Sequence, residues 1–316
     1  MKKIVILLIT LLCLASCSKK IEQEEIDYNY ANMGILSPTG APALAFISSI
    51  DDETFETNSN PNNIVSQMNE SSNSRVVVLE TIIGIDAIKK GAPYKLLGTI
   101  TFGNYYLVAT GNDEDYSLNE GDYVVVFGNT QKRLFDLIYD ETKFNIEVVA
   151  GVSEAGKCLA MGKNLETGNE IDYVLMAEPA LRKIIKNEEV PTYEKSYVYA
   201  DIQEEYKKVI DGDIFQASVF IKDDNYISDI NDYAMYLEDN INNTLNNTEF
   251  LNSYLNNRDD IEISNIFGID TDTIRIVLST NSINLGFKKA SEYQQKIQEY
   301  YKLFTGEELN EEIFIK

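Results

Sequence analysis

The sequence contains no histidine and no tryptophan. Without histidine, neither a Ser-His-Asp triad nor a Cys-His pair can form, and the commonest protein ligand of zinc is missing. The glycine-rich motifs that bind phosphate groups, GxxxxGKS/T and GxGxxG, do not occur either. The residue inventory therefore narrows the possible enzymes, and we expect no catalytic residues, no metal site and no cofactor.

Positively charged residues are also scarce. The 316-residue chain has 27 Lys and Arg against 51 Asp and Glu, which gives a formal net charge of −24 at pH 7. Such a chain repels phosphate backbones, so nucleic-acid binding is excluded unless a local basic patch concentrates the few cations. The hydrophobic share of 44% is ordinary for a soluble globular protein, and the length predicts about two domains.

Only three cysteines are present, and two of them lie in the N-terminal segment. Residues 1–16 combine Lys2 and Lys3 with an apolar stretch of 11 residues, Ile4–Leu14, which is shorter than the ~20 residues that a membrane-spanning helix needs. This pattern predicts a signal peptide. It ends in Leu-Ala-Ser-Cys, which resembles the bacterial lipobox. The resemblance implies cleavage before Cys17 and diacylation of its thiol.

A lipid anchor on Cys17 would hold the protein at a membrane of the cell envelope, on the extracytoplasmic side. The polar residues 17–31 are typical of a tether between a lipid and a folded domain. Cys158 is then the single remaining thiol, so no intramolecular disulfide can form. Its place in a predicted helix indicates a packed core residue.

Short apolar runs alternate with helical segments along the rest of the chain. This alternation predicts an α/β fold with two parallel-type sheets flanked by helices. Two polar segments, 111–122 and 187–195, predict that the chain crosses twice between two lobes, which would leave an interlobe cleft. The predicted division is a signal peptide at 1–16, a tether at 17–31, lobe I at 32–111 plus 196–316, and lobe II at 112–195.

The strand-to-helix turns are the candidate ligand-binding segments, because ligands of open α/β sheets bind beyond the carboxyl ends of strands. The first turn offers the hydroxyls of Ser37 and Thr39 and the backbone N–H groups of Gly40 and Ala41 at a helix start, where anions are favoured. The alternative is that Ser37 or Thr39 simply caps the helix.

Seven further candidates lie at later turns, and each has a structural alternative. Helix capping is the alternative for the residues that open helices, and a bulge with packed aromatic rings is the alternative for the Gly103 segment. Glu80, before one of these helices, either meets a ligand amine or caps the helix. The seven candidates are Thr81, Thr101, Phe102, Gly103, Asn104, Asn129 and Glu178.

Four segments occur in a fixed order, namely SPTGAPALA (37–45), VVVLETIIGIDAIKKG (76–91), APYKLLGTITFGNYYLVATGND (92–113) and DYVLMAEPAL (172–181). Together they resemble the substrate-binding lipoproteins of bacterial ABC transporters. The group they resemble is the type II periplasmic binding proteins described as nitrate, sulfonate, taurine or thiamine-precursor binders. The resemblance extends over about residues 33–305. It implies a monomeric two-lobed clamp that closes on a small-molecule ligand and docks on a membrane permease.

Two other functions are compatible with this fold. The first is a surface lipoprotein without a transport role, such as a sensor or an adhesin, which neighbouring permease and ATPase genes would argue against. The second is an enzyme on the same scaffold, which the lipobox and the missing histidine make less favoured. Glu80 also departs from the neutral turn residue expected in many members of the resembling group, and this leaves room for a ligand that carries an amine.

Overall fold

The computed structural model describes residue 30 and residues 33–110, 117–185, 197–224 and 229–315. The predicted signal peptide, Cys17 and most of the predicted tether lie outside these residues. So do residues 111–116 and 186–196, where much of the two predicted crossings falls. The described chain forms two β-sheets, each flanked by helices, which confirms the predicted α/β class.

The first sheet has six strands in the order β11-β4-β10-β3-β1-β2. Its strands are β1 (Ile35–Pro38), β2 (Phe55–Asn58), β3 (Val76–Glu80), β4 (Tyr94–Thr101), β10 (Ala217–Lys222) and β11 (Leu285–Lys289). Residues 76–79 of β3 are a run of Val and Leu that is fully buried, as expected for a strand covered on both faces.

The second sheet has five strands in the order β7-β6-β8-β5-β9. Its strands are β5 (Tyr105–Ala109), β6 (Tyr123–Phe127), β7 (Asn145–Val149), β8 (Tyr173–Ala177) and β9 (Tyr197–Asp201). The three valines in the middle of β6 are fully buried, and so are residues 174–176 of β8. These two strands therefore form the centre of the sheet.

Both sheets are mixed, which differs from the parallel-type sheets predicted from the sequence. In the first sheet, β10 runs antiparallel to both β3 and β4, and β11 runs antiparallel to β4. In the second sheet, β5 runs antiparallel to β8 and β9. The strands that reverse direction include those that carry the chain between the sheets. In particular, β5 follows β4 after residues 102–104 and joins the other sheet, where it pairs antiparallel with β8 and β9.

The chain changes sheet at residues 102–104, between β4 and β5, and again at residues 202–216, between β9 and β10. The crossings predicted from the sequence, at 111–122 and 187–195, are wrong, because β5 and β9 belong to the second sheet and not to lobe I. The first crossing passes through Gly103, whose φ of 84° lies in the left-handed region that favours glycine. Because apolar residues continue on both sides of Gly103, the hydrophobic pattern gives no sign of the change. We call the first sheet with its helices lobe I and the second sheet with its helices lobe II.

Eleven α-helices are found in the described residues, together with 3-10 helices at Ala41–Ser49, Glu141–Lys143 and Glu311–Ile313. Asp229, Asp259 and Asp270 each accept backbone N–H bonds at the start of a helix, so part of the acidic excess serves as helix caps. The α-helices are α1 (Pro61–Gln67), α2 (Thr81–Lys89), α3 (Gly128–Ile138), α4 (Val152–Met161), α5 (Ala180–Ile185), α6 (Ile202–Val209), α7 (Ile230–Asn246), α8 (Thr248–Leu255), α9 (Asp260–Phe267), α10 (Thr271–Ser279) and α11 (Gln294–Thr305).

Tyrosine and phenylalanine fill the core in place of the missing tryptophan. Tyr300 of α11 lies edge-on to Phe215, with ring centroids 5.7 Å apart, and it belongs to an apolar cluster that includes residues of both sheets. Cys158 is fully buried and free, as predicted for a core thiol. Within the described ranges, no helix combines the length and the apolar character that crossing a bilayer requires.

Candidate ligand-binding site

A cavity of about 790 Å³ lies between the two lobes. Lobe I contributes the loop 38–42, the carboxyl end of β3 and the end of α9. Lobe II contributes the ends of β6 and β8 and the first turns of α4 and α5. The volume falls in the range of small-molecule sites, and most of the lining side chains are apolar.

The loop after β1 lines the cavity with Thr39, Gly40 and Ala41, three of the residues predicted from the sequence. Two of its backbone N–H groups are already used within the protein, because Thr39 donates to the Asn58 carbonyl at 3.3 Å and Gly40 donates to the Phe267 carbonyl at 2.8 Å. The loop therefore offers a ligand its shape, the Thr39 side chain and the Ala41 N–H, which donates to no group among the described residues. The predicted backbone donor at Gly40 is not free.

Three predicted hydroxyl residues are buried in lobe I and do not line the cavity. The Ser37 hydroxyl donates to the Pro38 carbonyl at 3.0 Å. The Thr81 hydroxyl lies 2.6 Å from the Ser218 hydroxyl, inside the sheet. Thr101 is fully buried, and its hydroxyl has no hydrogen-bond partner. In the sequence these three residues lie at or next to the ends of strands, where ligand-binding residues are expected, but their side chains point into the protein.

Phe102, Gly103 and Asn129 also lie outside the cavity lining. Phe102 packs edge-on against Phe215, with centroids 6.1 Å apart. A Cβ atom added to Gly103 would come within 3.0 Å of the Gln203 side chain, so glycine is required by packing as well as by its φ angle. Asn129 is exposed at the start of α3. Phe102 is therefore a packed aromatic residue, as in the structural alternative given for the Gly103 segment.

Asn104 lines the cavity and connects three segments. Its backbone N–H donates to Gln216 Oε1 at 3.0 Å, and Gln216 Nε2 donates back to Asn104 Oδ1 at 2.6 Å. The Asn104 side-chain amide donates to the Glu178 carbonyl, and the Glu178 N–H donates to the Asn104 carbonyl at 2.8 Å. Asn104 belongs to the first crossing and Gln216 to the second, so this network ties the two crossings together beside the cavity.

Glu178 lines the cavity, but its carboxylate is engaged within lobe II. One oxygen accepts the Arg182 backbone N–H at 2.9 Å, and the other lies 3.2 Å from the Arg182 guanidinium. Burial raises the pKa of Glu178, while these contacts with Arg182 act to lower it. Glu178 therefore accepts a hydrogen bond at the start of α5, in agreement with the helix-capping alternative.

Glu80 differs from Glu178 because its carboxylate is not engaged in this way. It occupies the N-cap position of α2 but makes no side-chain capping hydrogen bond. Its Oε1 atom is shielded from solvent and has no hydrogen-bond partner, although the residue lines the cavity. Burial raises the pKa of Glu80 to about 7, and the Thr130 side chain lowers it in part. The capping alternative is therefore wrong for Glu80.

Several polar lining residues were not predicted from the sequence. Tyr105 accepts a hydrogen bond from Gln131 Nε2 at 3.1 Å, and burial raises the pKa of its hydroxyl. Ser153 and Lys157 come from α4, and Lys183 comes from α5. The residues predicted from the sequence are the first ones of each strand-to-helix turn. Gln131, Lys157 and Lys183 lie further along the helices, and extending the same rule by one to two helical turns includes them.

No metal centre is evident at the cavity. The described residues contain no group of three or more His, Cys, Asp or Glu side chains arranged to hold a metal ion. The side chains available at the cavity are carboxylates, amides, hydroxyls and ammonium groups. They are suited to hydrogen bonds and ion pairs with an organic molecule.

Solved structures of low sequence identity share this architecture. An ABC transporter protein from Parabacteroides distasonis matches with a TM-score of 0.66 and 14% identity, over 89% of this chain and 98% of that chain. The periplasmic aliphatic sulphonate binding protein SsuA from Escherichia coli matches with a TM-score of 0.64 and 10% identity, over 89% and 91%. The fold is that of the two-lobed periplasmic binding proteins.

A third structure of this fold is the ligand-binding component of an ABC-type import system from Staphylococcus aureus, solved with zinc bound. It matches with a TM-score of 0.58 and 11% identity, over 89% of this chain and 95% of that chain. No protein-family model matches the sequence, and no curated protein does. At these identities the comparisons establish the fold, and the ligand has to be argued from the cavity itself.

Proposed function

We propose that this protein is the solute-binding lipoprotein of an ABC importer, which captures a small molecule between its lobes and delivers it to a membrane permease. The observation that carries the proposal is the cavity of about 790 Å³ whose walls come from both lobes. A ligand that contacts both walls binds the closed arrangement better than the open one, so it favours closure. The fold shared with ABC-type binding proteins supports the same function.

The two crossings would act as the hinge of this clamp. Residues 102–104 and 202–216 join the lobes, and the hydrogen bonds between Asn104 and Gln216 hold the two segments side by side. Hinges of this kind absorb the change in backbone angles while each lobe moves as a unit. The described residues of the cavity supply binding groups, and the proposed function needs no chemical step.

In this proposal the protein is a monomer, and lipid on Cys17 holds it at the extracytoplasmic side of a membrane. Tyr30, near the end of the tether, packs against Tyr233 and Tyr236 of α7, with ring centroids 5.1 Å and 5.0 Å away. The tether would thus leave the folded domain from lobe I, at the surface of α7. This arrangement leaves lobe II without a covalent link to the anchor except through the two crossings.

The experiment that tests this function compares two exposed serines on helices. Ser153 lines the cavity, whereas Ser253 lies on α8 and is not among the cavity-lining residues. Residues 18–316 would be screened against amino acids, sulfonates, nucleobases and thiamine precursors by thermal shift, and hits would be followed by small-angle scattering. We expect a ligand that raises the unfolding temperature and compacts the wild type and Ser253→Trp, with loss of both effects in Ser153→Trp.

Two outcomes would count against the proposal. The first is a ligand that binds Ser153→Trp as tightly as wild type, because the tryptophan would occupy the cavity. The second is the absence of any compaction with a bound ligand, because a clamp that does not close would not present a distinct loaded form to a permease.

A further inference from the structure

The carboxylate of Glu80 is the strongest unused binding group in the described part of the chain. It ends β3, lines the cavity and does not cap the helix that follows it. Its Oε1 atom is shielded from water and lacks a hydrogen-bond partner. A buried acceptor without a donor is costly to maintain, since it has lost its water and gained nothing in exchange.

The groups around Glu80 do not supply a positive charge. Tyr105 of β5 and Tyr300 of α11 lie close enough for the Glu80 charge to raise the pKa values of their hydroxyls, and the Thr130 side chain of α3 also reaches the carboxylate. The Tyr105 hydroxyl is held by Gln131. A donor brought by a ligand would therefore be the missing partner of Oε1.

The opposite wall carries the complementary charge. Lys157 of α4 and Lys183 of α5 line the cavity from lobe II, both side chains are exposed, and neither makes an ion pair within the described residues. The neighbouring Arg182, in contrast, is paired with Glu178 at 3.2 Å. In a chain with a net charge of −24, two cations at one cavity wall that have no ion-pair partner among the described residues are a notable concentration of positive potential.

We propose that the ligand is a small organic zwitterion, with a nitrogen-borne N–H donor bound by Glu80 in lobe I and an anionic group bound by Lys157 and Lys183 in lobe II. The apolar part of the ligand would pack on Ile83, Phe127 and Val152, which also line the cavity. Glu80 is then a specificity-determining residue. This inference rests on the proposed solute-binding function and adds the chemical class of its substrate.

The zwitterion also explains how closure would be driven. Its two charged groups would engage one lobe each, so neither lobe alone makes the full set of contacts. A ligand with only the anionic group would reach Lys157 and Lys183 but leave Glu80 without a donor. It would bind lobe II and favour closure less.

The test uses pairs of compounds that differ only in the amino group. Leucine, phenylalanine and 3-aminopropanesulfonate would be compared with 4-methylpentanoate, 3-phenylpropionate and propanesulfonate by isothermal titration calorimetry on residues 18–316. We expect at least one zwitterion to bind and to do so at least tenfold more tightly than its partner without nitrogen, since a charge-assisted hydrogen bond to a buried group is at stake.

Variants separate the two walls of the cavity. Glu80→Gln should weaken the zwitterion about tenfold or more and leave the nitrogen-free anion nearly unchanged. Lys157→Gln combined with Lys183→Gln should weaken both compounds of a pair to a similar extent. Glu238→Gln on the exposed face of α7 is the matched control and should bind like wild type. Circular dichroism of each variant would establish that it is folded.

The outcomes distinguish this inference from the function on which it rests. Tighter binding of a nitrogen-free anion, or a Glu80→Gln variant that keeps the full preference for the amine, would overturn the zwitterion while leaving a solute-binding protein. Equal effects of Glu80→Gln on both compounds of a pair would also overturn it, because Glu80 would then act on the cavity as a whole. The absence of binding by all six compounds would overturn the zwitterion, while the solute-binding function would still be decided by the wider thermal-shift screen.

Discussion

Gln216 and Asn104 exchange two hydrogen bonds, one in each direction, and they belong to different crossings between the lobes. The Asn104 N–H donates to Gln216 Oε1 at 3.0 Å, and Gln216 Nε2 donates to Asn104 Oδ1 at 2.6 Å. One side chain thus satisfies both the backbone and the side chain of a residue that is only 4% exposed. The pair is a direct hydrogen-bonded link between the two segments on which lobe movement would depend, beside the packing of Phe102 on Phe215.

Removing this link should be costly. Gln216→Ala leaves the buried Asn104 with an unpaired N–H and an unpaired side-chain oxygen, so we expect a loss of about 1–3 kcal/mol in the free energy of unfolding. Urea titration followed by circular dichroism would measure it. Gln295→Ala is the control, because Gln295 is exposed on α11 and bonds only to the neighbouring Glu299 side chain. If the two variants had the same free energy of unfolding, the hydrogen bonds between Asn104 and Gln216 would not contribute to stability.

Gly84 should not tolerate a side chain, although it lies within a helix. Helix propensity alone predicts that Gly84→Ala stabilises the protein by about 1 kcal/mol. A Cβ atom at this position would, however, lie 2.2 Å from the ring of Phe220, which is fully buried on β10. We therefore expect a net loss of about 1–3 kcal/mol, because overpacking a close-packed core forces its neighbours to shift.

The comparison for Gly84 is Gly212→Ala. An added Cβ at Gly212 meets no atom within 4 Å, so the change in unfolding free energy should be small. Thermal unfolding of both variants under one set of conditions would decide the matter. If the Gly84→Ala variant were more stable than the wild type, α2 and β10 would have to lie further apart than they do in the structure.

Glu80 makes the stability of the empty protein depend on pH. Its pKa is raised from an ordinary value of 4.5 to about 7 by burial, so the folded protein holds a proton that the unfolded chain releases between these values. The contribution of Glu80 to stability should therefore fall as pH rises from about 4.5 to 7 and change little above that range. The size of the fall is roughly 3 kcal/mol.

The measurement is a difference between proteins, which cancels the other titrating groups. Urea unfolding of wild type and Glu80→Gln at pH 5 and pH 8 should show that the wild type loses stability relative to the variant at the higher pH. Glu238→Gln, at an exposed position, should follow the wild type. If the wild type and Glu80→Gln changed in parallel, the Glu80 carboxylate would have to be compensated by the protein.

Lipidation at Cys17 is tested by labelling. Cells fed a fatty-acid analogue should incorporate it into the wild-type protein and into Cys158→Ala, whose substitution lies in the buried core. Cys17→Ser should incorporate none and should move from the detergent phase to the aqueous phase on phase separation. Incorporation into Cys17→Ser would locate the anchor elsewhere.

The sequence predicts the α/β class well because strands such as Val76–Glu80 are short, apolar and β-branched, and are followed by clear helical patterns. It predicts the crossings poorly. The switch at Gly103 lies inside a continuous apolar stretch, and the pairing partners of Tyr105–Ala109 are distant in the chain, at Tyr173–Ala177. Long-range pairing of this kind leaves no local signal, so sheet membership had to come from the structure.

Among the eleven ligand-binding residues predicted from the sequence, those that line the cavity follow strands whose ends face the other lobe. Asn104 and Glu178 were found in this way, whereas Ser37 and Thr81 satisfy the same pattern but turn into the sheet. The direction of a side chain after a strand depends on the backbone angles of one or two residues. Whether an acid such as Glu80 caps its helix or faces the cavity depends on the same angles, and the sequence left both alternatives open.

If lipid on Cys17 anchors the protein as proposed, the packing of Tyr30 on α7 would limit how far the folded domain can move from the membrane. Twelve residues lie between Cys17 and Tyr30, so a fully extended tether would reach roughly 45 Å. A lipid-held protein would then search a thin layer above the membrane, which raises its effective concentration for a permease in the same membrane above that of a freely diffusing protein. Docking on the permease could therefore be weak and short-lived without limiting transport. Tight binding would then be needed only between the protein and its solute.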